Sequence, residues 1–172
     1  TLWHEVGHYL GVDATTDGRH LNEALSPWGS HYEELKADLV SLFTSAQLNR
    51  NGQMDDELLK SVKAGGILRV LQNNQPRTDS QPYQTMQLMQ MNYFLEKGYL
   101  SFDETDGRLI IHYDRYEDVI ASMLKAVLEI QHEGNPHQVS HQPGGYDARA
   151  EVVAHLAAAP RECLLLPDAG PL

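Results

Sequence analysis

His4-Glu5-Val6-Gly7-His8, near the start of the chain, is the stretch whose residue types and spacing most directly imply chemistry. On a helix, two histidines four positions apart project from one face, one turn apart, so both imidazoles can reach a single Zn²⁺. Glu5, between them, then sits beside the metal, where it can reach a bound water. His4 and His8 are therefore candidate zinc ligands and Glu5 the candidate general base. A catalytic zinc also needs a third protein ligand and an open fourth position, which holds the water whose pKa the metal lowers to about 7.

The third ligand is sought among carboxylates on another element. Glu34 follows His8 by 26 residues, within Glu33-Glu34-Leu35-Lys36-Ala37-Asp38, and Asp38 lies four positions beyond it. Adjacent helix positions differ by about 100°, so only one of Glu33 and Glu34 can face the metal. Glu34 is preferred because it shares a face with Asp38. Asp38 is expected to accept the free ring N–H of a metal-bound histidine, that of His4, which fixes its tautomer and raises its basicity. Glu33 is assigned to the same outer layer. His31, one turn before Glu34, is a candidate substrate contact. His20, His112, His132, His137, His141 and His155 are scattered and carry no such reading.

These residues need helices to position them. Leu2, Val6 and Leu10 mark one face of a first helix, with Gly11 as its stop. A polar loop, Asp13 to Gly29, follows. Ser30 with Glu33 reads as a capping box opening a long second helix to about Leu48. NRNGQ, residues 49–53, breaks the pattern, and Met54 to Gln72 restarts it with acidic residues in its first turn. After a polar loop to Pro82, Tyr83 to Lys97 reads as a helix of core-filling methionines ended by Gly98. Tyr99 to Tyr113 alternates around Asp106-Gly107 and reads as a β-hairpin. A further helix is expected from Tyr116 to His132, a short one from Ala148 to Ala158, and a Pro-rich extended tail.

The expected fold is thus mainly α with a small β-hairpin, in one domain over residues 1–172. Within it, 1–50 forms the zinc helix pair, 51–132 the helices plus hairpin, and 133–172 a C-terminal segment. The chain begins at Thr1, directly at the histidine helix, so it is expected to be part of a longer protein, cut before its catalytic helix.

Composition narrows the function classes. A formal net charge of −11, with 24 acidic against 13 basic residues, argues against a nucleic-acid partner. No apolar run approaches the roughly 20 residues of a membrane span. One cysteine, Cys163, allows no intrachain disulfide, and a cytoplasmic setting is expected.

HEVGH, then LNEALSPWGSHYEELKADLVSL, then MNYFLEKGYLSFDETDGRLII resemble the dipeptidyl peptidase III family of zinc metallopeptidases. The likeness is greatest to its bacterial and plant branch, whose members are sometimes fused to Nudix domains, and runs over residues 1 to about 132. It implies a gluzincin-type helical catalytic lobe with one zinc at a cleft facing a second, N-terminal lobe, and removal of dipeptides from the amino end of short peptides. By matching motifs, His4 and His8 correspond to the histidine ligands, Glu5 to the catalytic glutamate, and Glu34 to the second glutamate of EExxx(D/E). The sequence departs from the best-known members, which have one extra residue in the motif, HExxGH. It also lacks the histidine that the family supplies near the region aligning with Gln81 to Thr85. Tyr83 stands there, read as an aromatic core residue or as a transition-state contact.

The mechanism implied is peptide hydrolysis in which zinc polarises the scissile carbonyl and its bound water while Glu5 carries the proton. Two other readings fit the same residues: a catalytically degenerate, zinc-stabilised module that binds or regulates, and a zinc hydrolase of a non-peptide substrate.

Overall fold

Four helices gather around one. In the computed structural model, which describes residues 2–72 and 82–135, a helix spanning Gly29–Arg50 packs against helices from both ends of the chain. In chain order the elements are α1 (Leu2–His8), α2 (Leu21–Ala24), the central α3 (Gly29–Arg50), α4 (Asp56–Gln72), α5 (Pro82–Glu96), β1 (Leu100–Phe102), β2 (Leu109–Ile111), a 3₁₀ turn (Tyr113–Arg115) and α6 (Tyr116–Glu133). The fold is mainly α with one small antiparallel hairpin. The expected helix at 148–158 and the tail lie outside the described residues.

Every position from Leu35 to Val40 of α3 is buried, with no single apolar stripe. That is the signature of a helix surrounded by others, here α1, α4, α5 and α6. α6, at the surface, keeps an ordinary stripe of Val119, Ile120, Met123, Val127 and Ile130 turned inward. It ends where Gly134 takes up a left-handed conformation, φ +67°, and its N–H bonds the carbonyl of Ile130 at 2.9 Å. Leu25, Leu35, Leu39, Met86, Phe94, Tyr99, Leu100, Tyr116 and Ile120 belong to one apolar core beneath these helices. Met86 and Met91 are core residues, as the Met-rich pattern of α5 predicts.

The hairpin pairs Leu100 with Ile111, Ser101 with Ile110 and Phe102 with Leu109. Gly107 turns it with φ +71°, and across the sheet the Ser101 hydroxyl meets His112 Nε2 at 2.8 Å. No helix among the described residues is long and apolar enough to cross a membrane.

Two local expectations are corrected. The loop from Asp13 to Gly29 contains the short helix α2, anchored by an isolated bridge between Ala14 and His20. Ser30 does not cap α3: the helix starts at Gly29, behind Trp28, with no side-chain cap bond. The capping box fails because Glu33, which would have to fold back to the backbone, points to α1 and α6 instead.

Candidate metal centre

α1 lies against α3 so closely that their backbones nearly touch at Gly7 and Ala37. This approach brings the two histidines of α1 over the acidic stretch of α3. His4 Nε2 stands 3.2 Å from Glu34 Oε2, and His8 Nε2 stands 3.9 Å from the same oxygen. The two rings are nearly perpendicular, 87°, with centroids 4.9 Å apart, so their edges converge. One donor atom from each of His4, His8 and Glu34 falls within 4.8 Å of the other two, the arrangement a shared metal ion needs.

The other nitrogen of each ring is tied down. His4 Nδ1 meets Asp38 Oδ1 at 2.9 Å, and His8 Nδ1 meets Glu33 Oε1 at 3.1 Å. Glu33 and Glu34, although adjacent, both reach α1: Glu34 meets the Nε2 edges and Glu33 the back of His8. An ionised carboxylate only accepts, so each Nδ1 carries a proton, and in the neutral ring that a metal ligand presents the lone pair is then on Nε2. With both rings neutral, the geometry aims two lone-pair nitrogens at a buried carboxylate oxygen that no hydrogen-bond donor among the described residues satisfies. Acceptors facing one another around an orphaned oxygen fit a cation, and two imidazoles plus one carboxylate fit zinc. Burial holds the His4 pKa below 6.5 despite the opposing pull of Glu34, which favours the neutral ring a metal ligand must present.

Glu5 is exposed and shares no ion pair with its neighbours among the described contacts, leaving its carboxylate open beside His4. Tyr83, at the start of α5, is 49% exposed, which excludes the first of its two readings, that of an aromatic core residue. Its hydroxyl pKa is raised, first by the charge of Glu34, then by burial, a hydrogen bond to Glu34 and the charge of Glu5. Tyr83 thus stands at the mouth of the site, near both Glu34 and Glu5.

His31 is enclosed rather than presented to a ligand. It is 6% exposed, its ring lies edge-on to Trp28 at 5.1 Å, and its Nδ1 has no partner among the described residues. Burial lowers its pKa below 6.5, so the unfolded chain binds this proton more tightly. Folding stability from His31 is therefore intact above pH 6.5 and declines as the pH falls below it, by at most about 1.4 kcal/mol per pH unit for one proton. Denaturation of the metal-free chain across this range is expected to give a shallower decline for His31→Gln than for the wild type. Equal slopes would mean that His31 is not held neutral.

Four residues around the site were not singled out by the sequence. Lys36, 2% exposed, bonds Glu33 Oε1 at 2.8 Å and the carbonyl of Leu10 at 2.6 Å. Gln131 Nε2 donates to Glu33 Oε2 at 3.0 Å. Gln90 Nε2 donates to Asp38 Oδ2 at 3.3 Å, and Arg69 pairs with the same oxygen. Only Lys36 had a local signal, its i+3 spacing from Glu33; the others come from α4, α5 and α6.

The same arrangement of helices occurs in two solved structures. A structure of dipeptidyl peptidase III from Caldithrix abyssi superposes with a TM-score of 0.69 at 23% identity, over 78% of this chain and 26% of that one. The chain has a dipeptidyl peptidase III fold. A second dipeptidyl peptidase III structure, from Corallococcus sp. strain EGB, gives a TM-score of 0.66 at 21% identity, over 92% of this chain and 30% of that one. The chain therefore spans less than a third of either dipeptidyl peptidase III structure. No family model matches the sequence, and no curated protein matches it either.

Proposed function

We propose that this chain carries the zinc-binding and catalytic helices of a metallopeptidase that removes dipeptides from the amino end of short peptides. One observation carries the reading: His4 Nε2, His8 Nε2 and the orphaned Glu34 Oε2 converge, with Glu5 open beside them. The dipeptidyl peptidase III fold supports the substrate class. His4, His8 and Glu34 would hold the ion, with Asp38 and Glu33 behind the two imidazoles. A bound zinc supplies Lewis acidity, polarising a carbonyl and lowering the pKa of water.

Glu5 carries the proton. Its carboxylate takes a proton from the attacking water as the new C–O bond forms at the scissile carbonyl carbon. It then gives that proton to the departing amine nitrogen as the C–N bond breaks. Tyr83, with a hydroxyl at the site mouth, is placed to contact the bound peptide.

Metal content tests the reading first. The chain is expected to bind one zinc. Glu34→Ala is expected to weaken that binding beyond the roughly 10–100-fold that loss of an outer partner costs, with the helical circular dichroism retained. Zinc affinity indifferent to Glu34 would remove it as a ligand. A protein that binds zinc as expected but leaves dipeptidyl arylamides and short peptides uncleaved would favour a non-catalytic module.

A further inference from the structure

Behind the two histidines the same three-part arrangement appears twice. On the His8 side, Glu33 takes the ring N–H and is itself held by an ammonium, Lys36, and a carboxamide, Gln131. On the His4 side, Asp38 takes the ring N–H and is itself held by a guanidinium, Arg69, and a carboxamide, Gln90. Lys36, Asp38, Gln90 and Gln131 are each at most 2% exposed. Charges are not buried this way without a compensating partner, and here each carboxylate receives a cation and a carboxamide N–H, so it meets its imidazole as an acceptor.

The two sets draw on different parts of the fold. Lys36 belongs to α3 and also binds the carbonyl of Leu10, just beyond the end of α1, so it anchors the loose end of the histidine helix. Gln131 comes from α6, Arg69 from α4 and Gln90 from α5. Every long helix of the described fold thus contributes a group to the orientation of one imidazole.

We propose that Gln131 with Lys36, and Gln90 with Arg69, are positioning residues that lock Glu33 and Asp38 as acceptors. His8 and His4 are then held with the proton on Nδ1 and the lone pair on Nε2 before any metal arrives. The proposal rests on the metal-site reading above and adds that the site is built by the packing of α4, α5 and α6, not organised by the ion. Each set acts first on its own histidine, but the rings are 4.9 Å apart, so some coupling between the two is expected.

The two carboxamides give the cleanest test, because replacing glutamine by leucine keeps volume and leaves both ion pairs in place. Imidazole nitrogen NMR on the metal-free chain is expected to show both rings protonated at Nδ1. Gln131→Leu should alter the His8 signals and Gln90→Leu those of His4, each changing the other ring less. Chelator competition should then show zinc affinity lowered by each substitution, by up to about the 10-fold at which loss of a direct outer partner begins. The double variant should lose more than either single one, with circular dichroism unchanged throughout. Wild-type rings protonated at Nε2 would overturn the proposal, as would folded variants with unaltered imidazole signals and zinc affinity. Rings that respond as expected in a chain that takes up no zinc would uphold the positioning network and overturn the metal reading instead.

Discussion

On the function proposed above, Glu5→Gln is expected to keep the zinc and to lose about 10²–10⁴ in kcat on dipeptidyl arylamides, the range that general acid–base catalysis contributes. The two halves of this result belong together. Glu5 sits between two candidate ligands in sequence, but on a helix its side chain leaves their face by about 100°, so it is not part of the ligand set. Glutamine keeps the shape and one hydrogen-bonding oxygen while removing the ability to hold a proton. A loss confined to kcat, with KM little changed, means an interaction made only in the transition state has gone. A variant that turned over at the wild-type rate would take Glu5 out of the mechanism, and one that lost its metal would mean Glu5 helps to hold the ion.

What could be read from the sequence was what depends on local spacing. The i, i+4 pairs His4 with His8 and Glu34 with Asp38 define faces as soon as each segment is helical, and Asp38 does lie against His4 Nδ1. The hairpin and the Met-rich helix were legible for the same reason: their periodicity lies within a few residues. The failed capping box has a tertiary origin: a distant partner outcompetes a local one. Glu33 looked like half of a capping box, but His8, Lys36 and Gln131 offer it three contacts that the start of α3 cannot match. Tyr83 allowed two readings, core residue or transition-state contact; at the start of α5 it is exposed, which excludes the first, and its hydroxyl bonds Glu34.

The supporting layer was not legible, because nothing in a sequence links Glu33 to Gln131, 98 positions away, or Asp38 to Gln90, 52 positions away. Lone glutamines in amphipathic helices ordinarily face water. Here α5 buries Gln87 and Gln90 and α6 buries Gln131, and only the packing of helices says which of them meets a carboxylate of α3. The site is therefore local in its ligands and global in its rigidity, so substitutions far along the chain should reach the metal through the helix that carries them.

Gly7→Ala should show that dependence most strongly, lowering both stability and zinc affinity although the residue binds nothing. A Cβ at Gly7 would lie 2.7 Å from the Cα of Ala37 and 2.9 Å from its carbonyl oxygen. Both are backbone atoms, so no side chain can swing aside and the two helices must part. Overpacking of this kind costs typically about 1–3 kcal/mol. Parting α1 from α3 also draws the imidazoles away from Glu34, Asp38 and Glu33 together, because Gly7 lies between the histidines on the face that meets α3. The matched control is Gly65→Ala, within α4, where an added Cβ meets nothing within 4 Å. That change should raise stability by up to about 1 kcal/mol through helix propensity and leave zinc binding untouched. Thermal denaturation and chelator competition on both variants separate the cases. Equal behaviour of the two alanines would mean that α1 does not sit on α3 at this distance, and the convergence of His4, His8 and Glu34 would lose its structural basis.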